Sequence, residues 1–278
     1  VQNIPQGHNL SMRVFFFLLL FLSLICFAST SVFAYTPVTT SVKDLTLLET
    51  GVVKKVLKPD LIELENGKIY RLSGIRIPSA FRNQTKALVE ELTLSKSVSL
   101  FVNPSVSPYD AVDRLGATYV HLLTTEGAWL QEKIITEGLA WAYGTENSRD
   151  LLAALQKQEI KAQKNRAGLW SKEEHLISNL ELVKKQIDTF QIVEGKAFGT
   201  SCTYTQCFVN FESQFKNDFT ILISQRTVLK FRNTVPFIKD PSLLTASTFR
   251  IRGWVERNNG PMIRLEFPEQ IQFLSDLE

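Results

Sequence analysis

The chain has 278 residues, of which 44% are hydrophobic and 21% charged. That balance suits about two folded domains and excludes a disordered or collagen-like chain. The net charge is only +3, so the strongly basic stripe that marks many polyanion-binding proteins is not evident from bulk charge.

The first 34 residues read as a secretory signal peptide. Met12-Arg13 supplies a basic start, Val14 to Phe27 is an apolar run, and Val32-Phe33-Ala34 fits a cleavage site before Tyr35. Val1 to Ser11 reads as an upstream extension. The apolar run is shorter than the roughly 20 residues that span a bilayer. The alternative is an uncleaved anchor, and Cys26 after Ile25 does not match a lipoprotein site. The expectation is an exported protein, periplasmic or secreted, with no integral membrane span after cleavage. Removing Arg13 with this segment lowers the net charge from +3 to +2.

Residues 35–47 read as a linker, rich in Thr, Ser and Pro over its first half. Strand signals follow at Gly51–Leu57, Leu61–Glu65 and Lys68–Arg76, and Asn66-Gly67 predicts a type I′ hairpin between the last two. Pro78 ends the third strand. Phe81–Leu94 has helical spacing. Val98–Val102 and Ala117–Leu123 read as strands around a loop, Asn103–Asp113. Trp129–Glu137 reads as a short helix with Gly138 at a left-handed cap, and Asp150–Arg166 as a longer amphipathic helix closed by Gly168. Five strands with inserted and appended helices describe a small closed barrel of the OB type.

Residues 171–188 read as a charged connector. Strand signals resume at Phe190–Ala197, Cys207–Phe211, Phe219–Ser224, Thr248–Val255 and Met262–Phe267, with a turn at Asn259-Gly260-Pro261. The expected fold class is therefore α+β, mainly β. One OB-type barrel spans 48–170, and a second, smaller OB-like β-domain spans 189–278. Cys202 and Cys207 flank a short polar stretch between strand signals, and in an exported protein they are candidates for a disulfide across a hairpin. Two cysteines without a nearby histidine make a poor zinc site.

An ordered series of short motifs runs through the first domain. It comprises Gly51-Val52-Val53, Pro59-Asp60-Leu61-Ile62, Arg71-Leu72-Ser73-Gly74-Ile75, Pro78, Asp113-Arg114-Leu115-Gly116, Glu137-Gly138-Leu139-Ala140 and Ala167-Gly168-Leu169-Trp170. From about Glu49 to Trp170 the chain resembles the thermonuclease (staphylococcal nuclease-like) family. Phe208–Phe211, Asp218–Thr220 and Arg250–Trp254 are similar to a C-terminal β-domain attached to some of its bacterial members.

The resemblance implies calcium-dependent hydrolysis of a phosphodiester by two arginines, a glutamate and a carboxylate-held ion. By that resemblance Arg71 matches the first catalytic arginine and Asp60 the first calcium carboxylate. The second carboxylate position holds Arg76, and the next residue, commonly Thr, is Ile77. Ser79 stands where the glutamate is expected, and Ala117 where the second arginine is expected. The expectation is a catalytically degenerate member with no cofactor, its calcium site lost. A site rebuilt from Glu63, Asp110, Asp113 or Arg114 is the alternative, although Arg114, three residues before Ala117, is expected to point elsewhere.

Several residues read in two ways. Arg71 is equally a phosphate contact or an ion-pair partner of Asp60 or Glu63. Arg76 is a candidate ligand cation, but at five residues from Arg71 along a strand it reads more readily as a solvated charge. Arg250 and Arg252, on one face of a strand, form the best basic patch of the second domain and are further ligand candidates, with a solvated sheet face as the alternative. Lys157, Lys161, Lys164 and Arg166 read as the outer face of a helix. Trp129, Trp141, Trp170 and Trp254 read as core or boundary packing, and His121 and His175 have no clustered partners. The functional expectation is a binding module for nucleic acid, glycan or an envelope protein, against an active metal-dependent nuclease or a structural envelope module.

Overall fold

The computed structural model describes residues 41–104, 106–107, 111–146, 148–149, 151–172, 176–213 and 218–277. The segment 1–34 expected to be a signal peptide, Asp110 and His175 lie outside the described residues, and no described helix is long and apolar enough to cross a membrane. Residues 41–45, at the end of the expected linker, are ordered: Ser41 and Asp44 form a reciprocal capping box around a 3-10 turn. Val42 and Leu45 pack with Leu151, Phe101 and Trp129.

The first barrel is built from β1 (Thr46–Lys58), β2 (Leu61–Leu64), β3 (Ile69–Leu72), β5 (Ser97–Val102) and β6 (Thr118–Thr124), closed in the order β1-β2-β3-β6-β5. β1 starts earlier than its apolar pattern suggested because it serves two neighbours. Residues 46–52 pair with β5 and residues 53–58 with β2, and this double use closes the barrel. Val53, Ile62, Leu100, Val120 and Leu122 fill its interior and are fully buried. The β2–β3 turn is not type I′, since Gly67 has a positive φ and Asn66 does not. Asn66 Oδ1 instead accepts the Lys68 N–H at 3.0 Å, and the turn gains one residue.

The expected third strand, Lys68–Arg76, is broken. Ser73 and Gly74 separate β3 from β4 (Ile75–Arg76), which leaves the barrel and pairs with β7 (Trp141–Ala142). Gly74 has φ +78°, and a Cβ there would come within 2.6 Å of Leu155 Cδ1, so the bend needs glycine for both conformation and space. α1 (Arg82–Thr93) lies between β4 and β5, while α2 (Leu130–Thr136) and α3 (Leu152–Lys164) follow β6. The Gly138 and Gly168 motifs meet backbone to backbone: Leu169 N–H donates to Gly138 O at 2.9 Å.

After α4 (Leu180–Val183) come β8 (Phe190–Lys196), β9 (Gly199–Cys202), β10 (Gln206–Asn210) and β11 (Thr220–Ser224), then α5 (Gln225–Phe231) and α6 (Pro236–Lys239), and finally β12 (Thr248–Arg257), β13 (Pro261–Leu265) and β14 (Ile271–Phe273). They pair as one seven-stranded sheet, β14-β12-β13-β11-β10-β9, with β8 along the other edge of β12. Only Ala197 and Phe198 separate β8 from β9, and Phe198 N–H donates to Asn210 O at 2.8 Å. One bent stretch of chain thus pairs with β12 at one end and β10 at the other, as β1 does with its two neighbours.

The pairing circuit repeats that of the first barrel. In both, the third strand of the circuit runs parallel to the fifth (β3 with β6, β11 with β13), helix is inserted after the third strand, and β14 is an addition in the C-terminal region. This is the OB-like connectivity expected for the C-terminal region, and the two halves are structural repeats without a shared sequence pattern. Cys202 and Cys207 are directly opposed on β9 and β10 and form a disulfide (S–S 2.07 Å).

The two barrels share a buried junction. Trp141, Ala162, Leu169 and Trp170 from the first half cluster with Phe190 and Ile192 from β8. Alternate residues of β12 point at the first half. Arg250 Nη1 donates to Gln163 Oε1 at 2.8 Å, Arg252 Nη2 to Glu159 Oε2 at 2.9 Å, and Trp254 stacks on Arg76. Arg149 Nη1 bonds both carboxylate oxygens of Glu269, at 2.6 and 2.7 Å.

Candidate functional site

Asp60, Arg71 and Arg76 come together in one cleft of about 730 Å³, joined by Lys58, Arg82 and Arg114. The bend at Gly74 explains the grouping. Arg71 faces out from β3, where it pairs with Leu61 and Tyr119. Arg76, on the strand that peels away, returns to the same mouth. Among the described residues, five cations and two carboxylates, Asp60 and Asp113, line this space.

Arg71 is committed to both acids. Its Nη1 donates to Asp60 Oδ2 and its Nε to Asp113 Oδ2, the latter at 2.8 Å. Asp113 is itself held by the loop it begins, its Oδ1 accepting the N–H groups of Leu115 (2.8 Å) and Ala117 (2.9 Å). Burial pushes the Asp113 carboxyl up, but those N–H groups and Arg71 outweigh it and hold it below the usual carboxylate range. Burial likewise lowers Arg71, yet Asp113 and Asp60 raise it overall. Asp113 is therefore held as a carboxylate beside the Arg71 guanidinium and is not tuned toward pH 7 as a proton acceptor.

Arg76 differs from the expected solvated charge. It is half-buried, its guanidinium carbon 4.2 Å from the Trp254 ring centroid and 5.7 Å from those of Tyr143 and Phe190. Burial lowers its pKa, Tyr143 opposes that, and the neighbouring positive Arg82 lowers it further. Neither Arg76 nor Arg82 has a carboxylate partner among the described residues. The two guanidinium groups therefore repel one another at the cleft with no acid partner among the described residues, an arrangement that an anion would relieve.

Other expected residues fall elsewhere. Arg250 is taken up by Glu194 at 2.8 Å and by Gln163. Arg252 is 2% exposed and bonds Glu159, Ala142 O and Gln272. The expected ligand patch on β12 is instead the docking face between barrels, because β12's outward side chains are covered by α3. Glu63 pairs with Lys54 at 2.8 Å rather than rebuilding the site. Arg114 lines the cleft, contrary to expectation, because the Asp113–Ala117 turn carries it outward. Ala117 is buried, and Ser79 is exposed and lines the adjoining cleft. Sequence reasoning missed Lys58, Arg82 and Trp254. Arg82 stands just past Pro78, and that turn was its only signal.

Residues 66–172 match the family model described as staphylococcal nuclease homologue. This stretch is similar to the staphylococcal nuclease family. Its matched region carries Arg71, Arg76, Arg82 and Asp113, and the five-stranded barrel with appended helices is the fold expected for it. No curated protein matches the chain.

The nuclease-like domain implies calcium, which needs six to eight oxygen ligands. Here both carboxylates of the cleft are tied to Arg71, Asp113 Oδ1 is occupied by two N–H groups, and Arg76 adds positive charge. No group of three His, Cys, Asp or Glu side chains arranged for a metal occurs among the described residues. The donor set does not fit the ion.

Proposed function

We propose that this is an exported nuclease-like protein that binds a nucleic-acid strand through its phosphodiester backbone without hydrolysing it. The observation that carries this reading is the state of the cleft's arginines. Arg71 is neutralised by Asp60 and Asp113, whereas Arg76 and Arg82 line the same cleft with no carboxylate partner among the described residues.

Hydrolysis would ask for a group to activate water, worth about 100- to 10,000-fold, and a charge stabiliser worth a further two to three decades. Both acids of the cleft accept hydrogen bonds from Arg71, Asp113 is held below the usual carboxylate range, and by the family resemblance the positions of the missing groups are Ser79 and Ala117. Binding makes smaller demands. Lys58, Arg82 and Arg114 are exposed at the mouth, and guanidinium groups offer paired N–H donors to phosphate oxygens. The leader segment supports an extracytoplasmic setting.

The test is binding of a fluorescent oligonucleotide to the purified protein across a salt series, beside a nuclease assay with calcium, magnesium, manganese or chelator. Expected are no cleavage and an affinity that falls with log salt at a slope of about −0.7 per phosphate contacted. Arg82→Ala with Arg114→Ala should flatten that slope. Divalent-dependent cleavage abolished by Arg71→Ala would replace this reading with an active enzyme. Salt-independent behaviour with co-purification of one envelope protein would replace it with a docking role.

A further inference from the structure

The cleft does not end at Arg76. A second one, of about 650 Å³, shares Arg76, Ile77 and Arg82 with the first and continues across the junction to Phe190, Gln191 and Trp254. Its far wall belongs to the second barrel. A ligand lying along the cationic mouth therefore meets both barrels, and the second contributes the aromatic Phe190 and Trp254 beside Gln191.

The geometry points to Trp254 as a base-stacking platform, which makes the C-terminal barrel a working half of the binding groove. This rests on the strand-binding reading above and adds what reads the bases. Three observations favour it. Trp254 is 41% exposed, whereas Trp141 and Trp170 are below 10%. It is the last of three alternate β12 residues facing the first barrel, and the two before it, Arg250 and Arg252, are covered. Arg76 is stacked on it at 4.2 Å, so its plane is fixed beside two arginines that have no carboxylate partner among the described residues before a ligand arrives, which lowers the ordering cost of binding.

A single strand fits this combination better than a duplex. Its bases are free to leave the backbone track and lie on an aromatic plane while the phosphates follow the cations. Such stacking tolerates any base and is worth about 1–3 kcal/mol per base, or roughly 5- to 150-fold in affinity.

The experiment compares two labelled probes of equal length with the whole protein: oligo-dT, and a chain of abasic deoxyribose phosphates. Trp254→Leu keeps bulk at the junction but removes the stack, and Trp254→Phe keeps a smaller ring. Expected are a 5- to 150-fold loss for Trp254→Leu with oligo-dT only, partial retention by Trp254→Phe, and quenching of tryptophan emission by oligo-dT that Trp254→Phe abolishes. Equal loss on both probes, or no loss on either, overturns the stacking role while leaving backbone binding in place. A wild-type protein that binds neither probe at low salt overturns backbone binding as well. Unchanged urea unfolding of the variants keeps either result from reflecting misfolding.

Discussion

Arg252 Nη2 lies 2.9 Å from Glu159 Oε2, and the two side chains are 2% and 1% exposed. The pair joins β12 of the second barrel to α3 of the nuclease-like domain, where the remaining oxygen of Glu159 accepts the Ala142 N–H at 2.8 Å. Arg252 also donates to Ala142 O at 2.8 Å, so both partners grip the same short strand, β7. An ion pair this deep contributes little net stability against an apolar replacement, but it is costly to break by halves.

Glu159→Ala should therefore lower stability by about 3–5 kcal/mol in urea unfolding followed by tryptophan fluorescence, because it strands a buried guanidinium. The double change Glu159→Leu with Arg252→Met should recover a large part of that loss. If the double variant is as unstable as the sum of the two single ones, the pair is not coupled as described.

Gly138 is required by contact as well as conformation. With φ +67°, a Cβ there would stand 2.1 Å from Ala167 O, at the join with the Gly168 loop. Gly67, at φ +82°, has nothing within 4 Å of its would-be Cβ. Gly67→Ala should cost about 1–2 kcal/mol from the left-handed backbone alone, and Gly138→Ala clearly more. Thermal melts of the two variants, run side by side, check the ordering.

His121 sets an acid limit on stability. Burial lowers its pKa to about 3, both ring nitrogens lack a hydrogen-bond partner, and the ring packs on Trp129 at 5.5 Å. The folded pKa lies below the unfolded value of about 6.5, so the unfolded state takes up the proton first. Stability is full above pH 6.5 and is lost as pH falls toward 3, by about 2–3 kcal/mol at pH 4.5. His121→Phe should flatten this part of the pH–stability curve between pH 6.5 and 4.5, where wild type declines.

The Cys202–Cys207 bridge closes a loop only five residues apart, across strands already paired. Reduction should cost about 2 kcal/mol at most on chain-entropy grounds, and it should leave oligonucleotide binding intact because the groove is walled by β12 and β8. A melting shift much larger than this would indicate that the hairpin depends on its bridge.

The sequence by itself determined the local elements and the family of the first domain. Alternating apolar residues and Asn66-Gly67 marked the β2–β3 hairpin, and the glycines at 138 and 168 marked helix ends, while the backbone contact between them came from the tertiary structure. The opposed cysteines were legible for the same reason: a short spacing between strand signals leaves few geometries. Tertiary structure alone decided which charges are free. Arg252 and Arg82 look alike in sequence, yet one is buried against Glu159 and the other lines the cleft with Arg76 and has no acid partner among the described residues. Whether a side chain is solvated depends on long-range packing, here the docking of β12 on α3, and on one bend at Gly74 that brings Arg71 and Arg76 into the same cleft. Partners 93 residues apart in the chain, as Glu159 and Arg252 are, leave no periodic trace, because their pairing is set by how two barrels meet and not by the backbone between them.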